Sequence, residues 1–92
     1  MLDLFRHEGA RRVTELRAAL ANGQTEQVFR LAHTMKGEAL SWGATDLVET
    51  SRLIEEQAQT GRLDGLARPM DELAAIFEKT VAALDGLRPK AA

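Results

Sequence analysis

The stretch AHTMKG, residues 32–37, places a histidine, a lysine and a glycine within five positions of one another. If it is helical, residues three, four and seven apart share a face. Phe29, His33, Lys36, Gly37 and Leu40 then form one stripe. It flanks the apolar stripe through Val28, Leu31 or Ala32, Met35, Ala39 and Trp42. An outward imidazole is a nucleophile. Lys36 puts an ammonium within reach of anything attached to that ring. Gly37 costs about 1 kcal/mol in helix propensity and leaves an opening beside the imidazole. Phe29 and Leu40 supply apolar ground around it. Taken singly, each of these residues is ordinary on a helix. Together they suit a phosphoryl group delivered to His33 by another protein. His7, the other histidine, has no lysine or glycine at matching spacing and reads as a surface residue.

Other chemistries lack their residues. Cysteine is absent, which excludes disulfides and thiolate metal sites. No H-E-x-x-H pair and no Glu-x-x-His motif occurs, so no metal site is expected. No G-x-x-x-x-G-K-[ST] loop is present to cradle ATP. The net charge of −2 gives no basic surplus for nucleic acid. No apolar run approaches the roughly 20 residues needed to span a bilayer. The opening residues MLDLFRHEGARR hold no continuous hydrophobic stretch of the signal-peptide kind. The expectation is a soluble cytoplasmic domain with no membrane partner.

The elements that must carry the stripe are helices. Ala, Leu, Glu, Gln and Arg dominate, valine and isoleucine are sparse, and tyrosine is absent. Gly23, Gly43 and Gly61 each sit where a helix could close on a left-handed residue. They divide the chain into segments at about 2–21, 25–42, 45–60 and 63–87. Segment one carries Phe5, Val13, Leu16 and Leu20, with Gly9 weakening its middle. Segment three carries Leu47, Ser51, Ile54 and Ala58, with Thr45 as its expected N-cap. Segment four has the clearest stripe: Leu63, Leu66, Met70, Leu73, Phe77, Leu84 and Leu87. Pro69 lies inside that segment and predicts a kink or short break near 66–69. The tail RPKAA should fray. Trp42 is expected to cap the core between segments two and three.

Short connections imply antiparallel neighbours. The fold class is therefore all-α: residues 1–92 form one antiparallel up-down-up-down four-helix bundle. A three-helix core with segment one packed loosely is the second architecture, because that stripe is the thinnest. A monomer is expected, since such a bundle closes its own core.

The stretch AHTMKGEALSWGATDL resembles the signature of histidine-containing phosphotransfer (HPt) domains, broadly A-H-[ST]-L-K-G-S-A-x-x-[LF]-G-A-x-x-L. Ala32, His33, Thr34, Lys36, Gly37, Ala39, Gly43, Ala44 and Leu47 match. Met35 replaces leucine conservatively, Trp42 replaces leucine or phenylalanine, and Glu38 stands where a small residue is usual. LRAALANGQTEQVFRLAH and SRLIEEQAQTGRLDGL resemble the flanking helices, so nearly the whole chain is covered.

The resemblance implies a four-helix phosphocarrier, not an enzyme with its own ATP site. His33 would carry the phosphoryl group on Nε2. The group would come from the aspartyl phosphate of a response-regulator receiver domain, or from a sensor or hybrid histidine kinase, and pass to a receiver aspartate. Mg²⁺ is expected on the partner receiver, with no cofactor held here. In some relatives, notably chemotaxis kinases, a glutamate bonds to Nδ1 of the histidine. Glu55, one residue past the core position Ile54, is the candidate for that role. Its alternative is a surface charge paired with a lysine or arginine. Lys36 would act by charge on the moving phosphoryl. Arg52, one turn before Glu55, would touch the phosphate or the partner, or else is an ordinary solvated arginine. Glu38 points about 140° from His33 on a helical wheel and would tune which receiver binds. The competing function is a non-catalytic helical interaction module that binds a receiver or kinase without accepting phosphate.

Overall fold

The computed structural model describes residues 2–86. The end of the fourth segment at Leu87 and the RPKAA tail lie outside the described residues. Four helices follow one another: α1 (Leu2–Ala21), α2 (Thr25–Ser41), α3 (Thr45–Gln59) and α4 (Ala67–Asp85). They pack as a ring, α1 on α2, α2 on α3, α3 on α4 and α4 back on α1, and among the described residues no diagonal pair of backbones comes close. Arg6 reaches Asp85 at 2.9 Å and Arg17 reaches Asp71 at 2.8 Å. The start of α1 thus lies against the end of α4, and the closing pair of the ring is antiparallel.

Two three-residue connections share one geometry. Gly23 and Gly43 take the left-handed conformation, with φ of +67° and +68°. At the second, the Gly43 N–H donates to the Leu40 carbonyl (3.1 Å) and the Ala44 N–H to the Ala39 carbonyl (2.9 Å). Those two bonds satisfy two of the orphan carbonyls of α2. The Ala44 carbonyl then accepts the Val48 N–H (3.0 Å) and opens α3. Ala44 is therefore the N-cap. The assignment of Thr45 to that position is corrected: the loop closes so tightly that Thr45 is already the first helical residue, and no side chain caps α3.

The expected helix from 63 with a kink at Pro69 is also corrected. Gly61 and Gly65, both with φ of +82°, turn the chain before α4 begins at Ala67. Pro69 falls in the first turn, where its missing N–H has no helical acceptor to lose, so no break is needed. Leu63 and Leu66 still reach the core, Leu66 completely. They continue the apolar stripe of α4 without belonging to the helix.

The core holds Leu16, Val28, Ala32, Met35, Ala39, Leu47, Ile54, Leu66, Met70 and Leu73, all nearly or fully inaccessible. α1 is a full member of it through Phe5, Leu16 and Ala19, which sets aside the three-helix alternative. Gly9 explains how. A Cβ there would collide with Cε1 of Phe77, so the missing side chain lets that ring lie directly on the α1 backbone. Phe5 packs against both Phe77 and Trp42, with ring centroids 5.5 and 5.3 Å apart. Trp42, at the end of α2, packs on the core and also meets α1 through Phe5, a contact its position in the sequence does not announce.

Candidate functional site

α2 and α3 pack side by side, and both bury small residues: Ala32 and Ala39 on one helix, Ser51 and Ala58 on the other. The side chains bordering this seam meet in antiparallel register at its outer edge. His33 stands there on α2 with its side chain 62% exposed. Its Nδ1 is 3.0 Å from Oε2 of Glu55 on α3. Nε2, across the ring, has no hydrogen bond among the described residues. Phe29, one turn earlier, stacks on the imidazole at 6.2 Å with the two planes 12° apart.

Glu55 is nearly buried, its side chain 12% exposed. Its second oxygen, Oε1, is 2.8 Å from Nζ of Lys36. That contact is an ion pair. Burial, the largest single influence on the Glu55 carboxyl, pushes its pKa up. The Lys36 ammonium and the His33 ring together outweigh it and hold the carboxyl below the ordinary glutamate range. Glu55 is therefore anionic at neutral pH. A carboxylate that accepts from Nδ1–H fixes the imidazole tautomer and leaves the lone pair on Nε2.

The remaining residues named from the sequence divide into two groups. Around the histidine, a Cβ built on Gly37 would meet nothing within 4 Å, so the space beside the ring is open. Leu40, two turns on, is 62% exposed. Arg52, by contrast, is not brought to the histidine. Its guanidinium bonds Glu49 on its own helix. Arg52 lines the rim of a hollow of about 240 Å³ with Leu40, Val48 and Glu49. Glu38 turns to α1 and pairs with Arg12, whose side chain is 13% exposed. His7 is exposed.

Two features were not legible in the sequence. Leu53 is 49% exposed on α3, where its place beside Ile54 makes it look like core. Arg12 anchors Glu38; the signal available was a basic residue on segment one facing a charge where the HPt motif has none. A cleft of about 570 Å³ between α3 and α4 includes none of His33, Lys36 and Glu55. The histidine, with most of its side chain exposed, sits on open helix surface where another macromolecule can reach it. Among the described residues no group of three or more His, Cys, Asp or Glu could hold a metal ion. No described helix is long and apolar enough to cross a membrane.

Comparison with known proteins agrees with this arrangement. The family model described as Hpt domain matches residues 1–85. No curated protein and no solved structure matches the chain. The chain belongs to the Hpt domain family, whose members are histidine-containing phosphotransfer domains of two-component signalling and work with receiver domains and histidine kinases.

Proposed function

We propose that this Hpt domain accepts a phosphoryl group on Nε2 of His33 and exchanges it with the aspartate of a response-regulator receiver domain. A sensor or hybrid histidine kinase feeds the same relay. The domain is a carrier and holds no ATP site. It acts as a monomer in the cytoplasm, where its partners are found. The observation that carries this reading is the exposed ring of His33 with Nδ1 bonded to a nearly buried carboxylate.

The chemistry follows from that geometry. Glu55 accepts the Nδ1–H bond and keeps the nucleophilic lone pair on the outward nitrogen. The transferred phosphoryl spreads negative charge over three equatorial oxygens, and the Lys36 ammonium lowers the energy of that charge. Gly37 leaves room for the phosphoryl group beside the ring. Phe29 and Leu40 seat an apolar part of the receiver on either side. Arg52 meets that partner at the rim of the hollow near Leu40. The receiver supplies the Mg²⁺ that neutralises the group while it moves.

The test is incubation with a phosphorylated receiver and Mg²⁺. The domain should gain acid-labile, base-stable phosphate that His33→Gln abolishes and His7→Gln preserves. A folded domain that binds receivers but never acquires phosphate would identify a non-catalytic interaction module instead.

A further inference from the structure

Lys36 is already engaged in the unphosphorylated site. Its side chain is 24% exposed and its Nζ lies 2.8 Å from Glu55 Oε1. The ammonium and the carboxylate form an ion pair there. The three groups sum to zero: a neutral ring, one carboxylate and one ammonium. A single ammonium cannot fully serve both a buried carboxylate and a phosphoryl dianion, so the arrival of phosphate forces a choice.

The ring settles that choice. Attack by the Nε2 lone pair forms the N–P bond as the P–O bond of the aspartyl phosphate breaks, and the electron pair leaves with the receiver carboxylate. No proton moves, so Nδ1 keeps its hydrogen and the ring becomes a cation. The Nδ1–H bond to Glu55 Oε2, formerly neutral donor to anion, becomes an ion pair. Glu55 then has a charged partner without Lys36.

We propose that phosphorylation exchanges the partner of Lys36: Nζ leaves Glu55 Oε1 for the phosphoryl oxygens while Glu55 stays on Nδ1. The proposal rests on His33 being the acceptor and adds a second task to Glu55, as the positioning residue that holds Lys36 between transfers. Reach is sufficient, because residues three apart on a helix are neighbours, about 5–6 Å between Cβ atoms. The empty space at Gly37 leaves the ammonium a path. When the phosphoryl departs, the ring returns to neutrality and the carboxylate recaptures Lys36. The grip on the phosphoryl is released as its reason disappears, which keeps transfer reversible.

The experiment follows the ¹⁵Nζ resonance of Lys36 in lysine-labelled domain before and after treatment with phosphoramidate, a small phosphoryl donor that needs no receiver. The chain has three lysines, and Lys36→Arg assigns the signal. The Lys36 resonance should shift on phosphorylation of His33 while the other two stay. Glu55→Gln keeps an acceptor for Nδ1–H but no charge. In that variant the Lys36 signal should already be displaced before phosphate is added, with the ring still Nδ1-protonated. A Lys36 signal unmoved in a chain carrying phosphate on His33 overturns the exchange and leaves the acceptor role standing. Phosphate that never appears on His33, from phosphoramidate or from a receiver, overturns both.

Discussion

The two sides of this bundle solve different problems with different residues. Where α1 meets α4, large rings fill the space: Phe5, Phe77 and Trp42 interlock, and Gly9 gives up its side chain so that Phe77 can lie on backbone. Where α2 meets α3, both helices bury small residues, and a charged cluster occupies the outer edge. Even the two helical glycines differ in purpose. Gly9 is buried under a ring, whereas Gly37 faces nothing. The same residue type serves packing on one side and access on the other. Aromatic packing and chemistry are thus carried by separate surfaces, and a substitution in one should leave the other nearly untouched.

His33→Gln is the sharpest way to break that separation. Phosphate acceptance should be lost completely, while the stability measured by denaturant unfolding should stay within about 1 kcal/mol of the parent. Phe77→Ala should do the reverse. Removing a buried aromatic side chain costs about 3–5 kcal/mol, visible as a lower unfolding midpoint, yet the fraction that remains folded should accept phosphate at the normal rate. Lys36→Ala should slow transfer roughly tenfold, equivalent to about 1.4 kcal/mol at the transition state, in a rapid-quench assay. An unchanged rate would remove Lys36 from the chemistry.

Smaller effects sharpen the boundary between the two sides. The Arg12–Glu38 pair links α1 to the helix that bears the histidine, and it is partly shielded from solvent. A double-mutant cycle with Arg12→Ala and Glu38→Ala should give a coupling of about 1 kcal/mol in stability and no coupling in transfer rate. Acid unfolding provides the finest test. The Glu55 carboxyl lies below its ordinary range because Lys36 and His33 outweigh the upward push of burial. Its contribution to stability is therefore fully present above the unfolded-state pKa and is lost as pH falls through the lowered folded-state value. Glu55→Gln should lessen the acid sensitivity of the unfolding midpoint in that window and leave its course at neutral pH parallel to that of the parent.

The helices, the glycine closures and the buried stripe of α2 were all readable from spacing, because a helix repeats its face every three or four residues. The fold class followed from the same periodicity. What spacing conceals is how far a pattern extends as helix. Leu63 and Leu66 keep the apolar rhythm of α4 yet precede it, since a connection can bury side chains at helical intervals without helical hydrogen bonds. Thr45 looks like a cap by residue type, but the closure at Gly43 had already assigned that place to Ala44. At the site, one helix's share was legible in a single stripe. The Lys36–Glu55 pair was not, because it depends on the register between two helices, which no single periodicity encodes. Arg12 and Glu38 were hidden for the same reason.

Trp42 is the chain's only tryptophan, and its indole rests on Phe5. It lies nine positions beyond His33, at the C-cap of α2, which places it on the opposite side of that helix and about 13 Å along the axis. Intrinsic fluorescence should consequently act as an optical gauge of whether the first helix is docked, largely blind to the phosphorylation state. One unlabelled sample can then be melted and assayed in parallel, with emission tracking the fold and radiolabel tracking the relay.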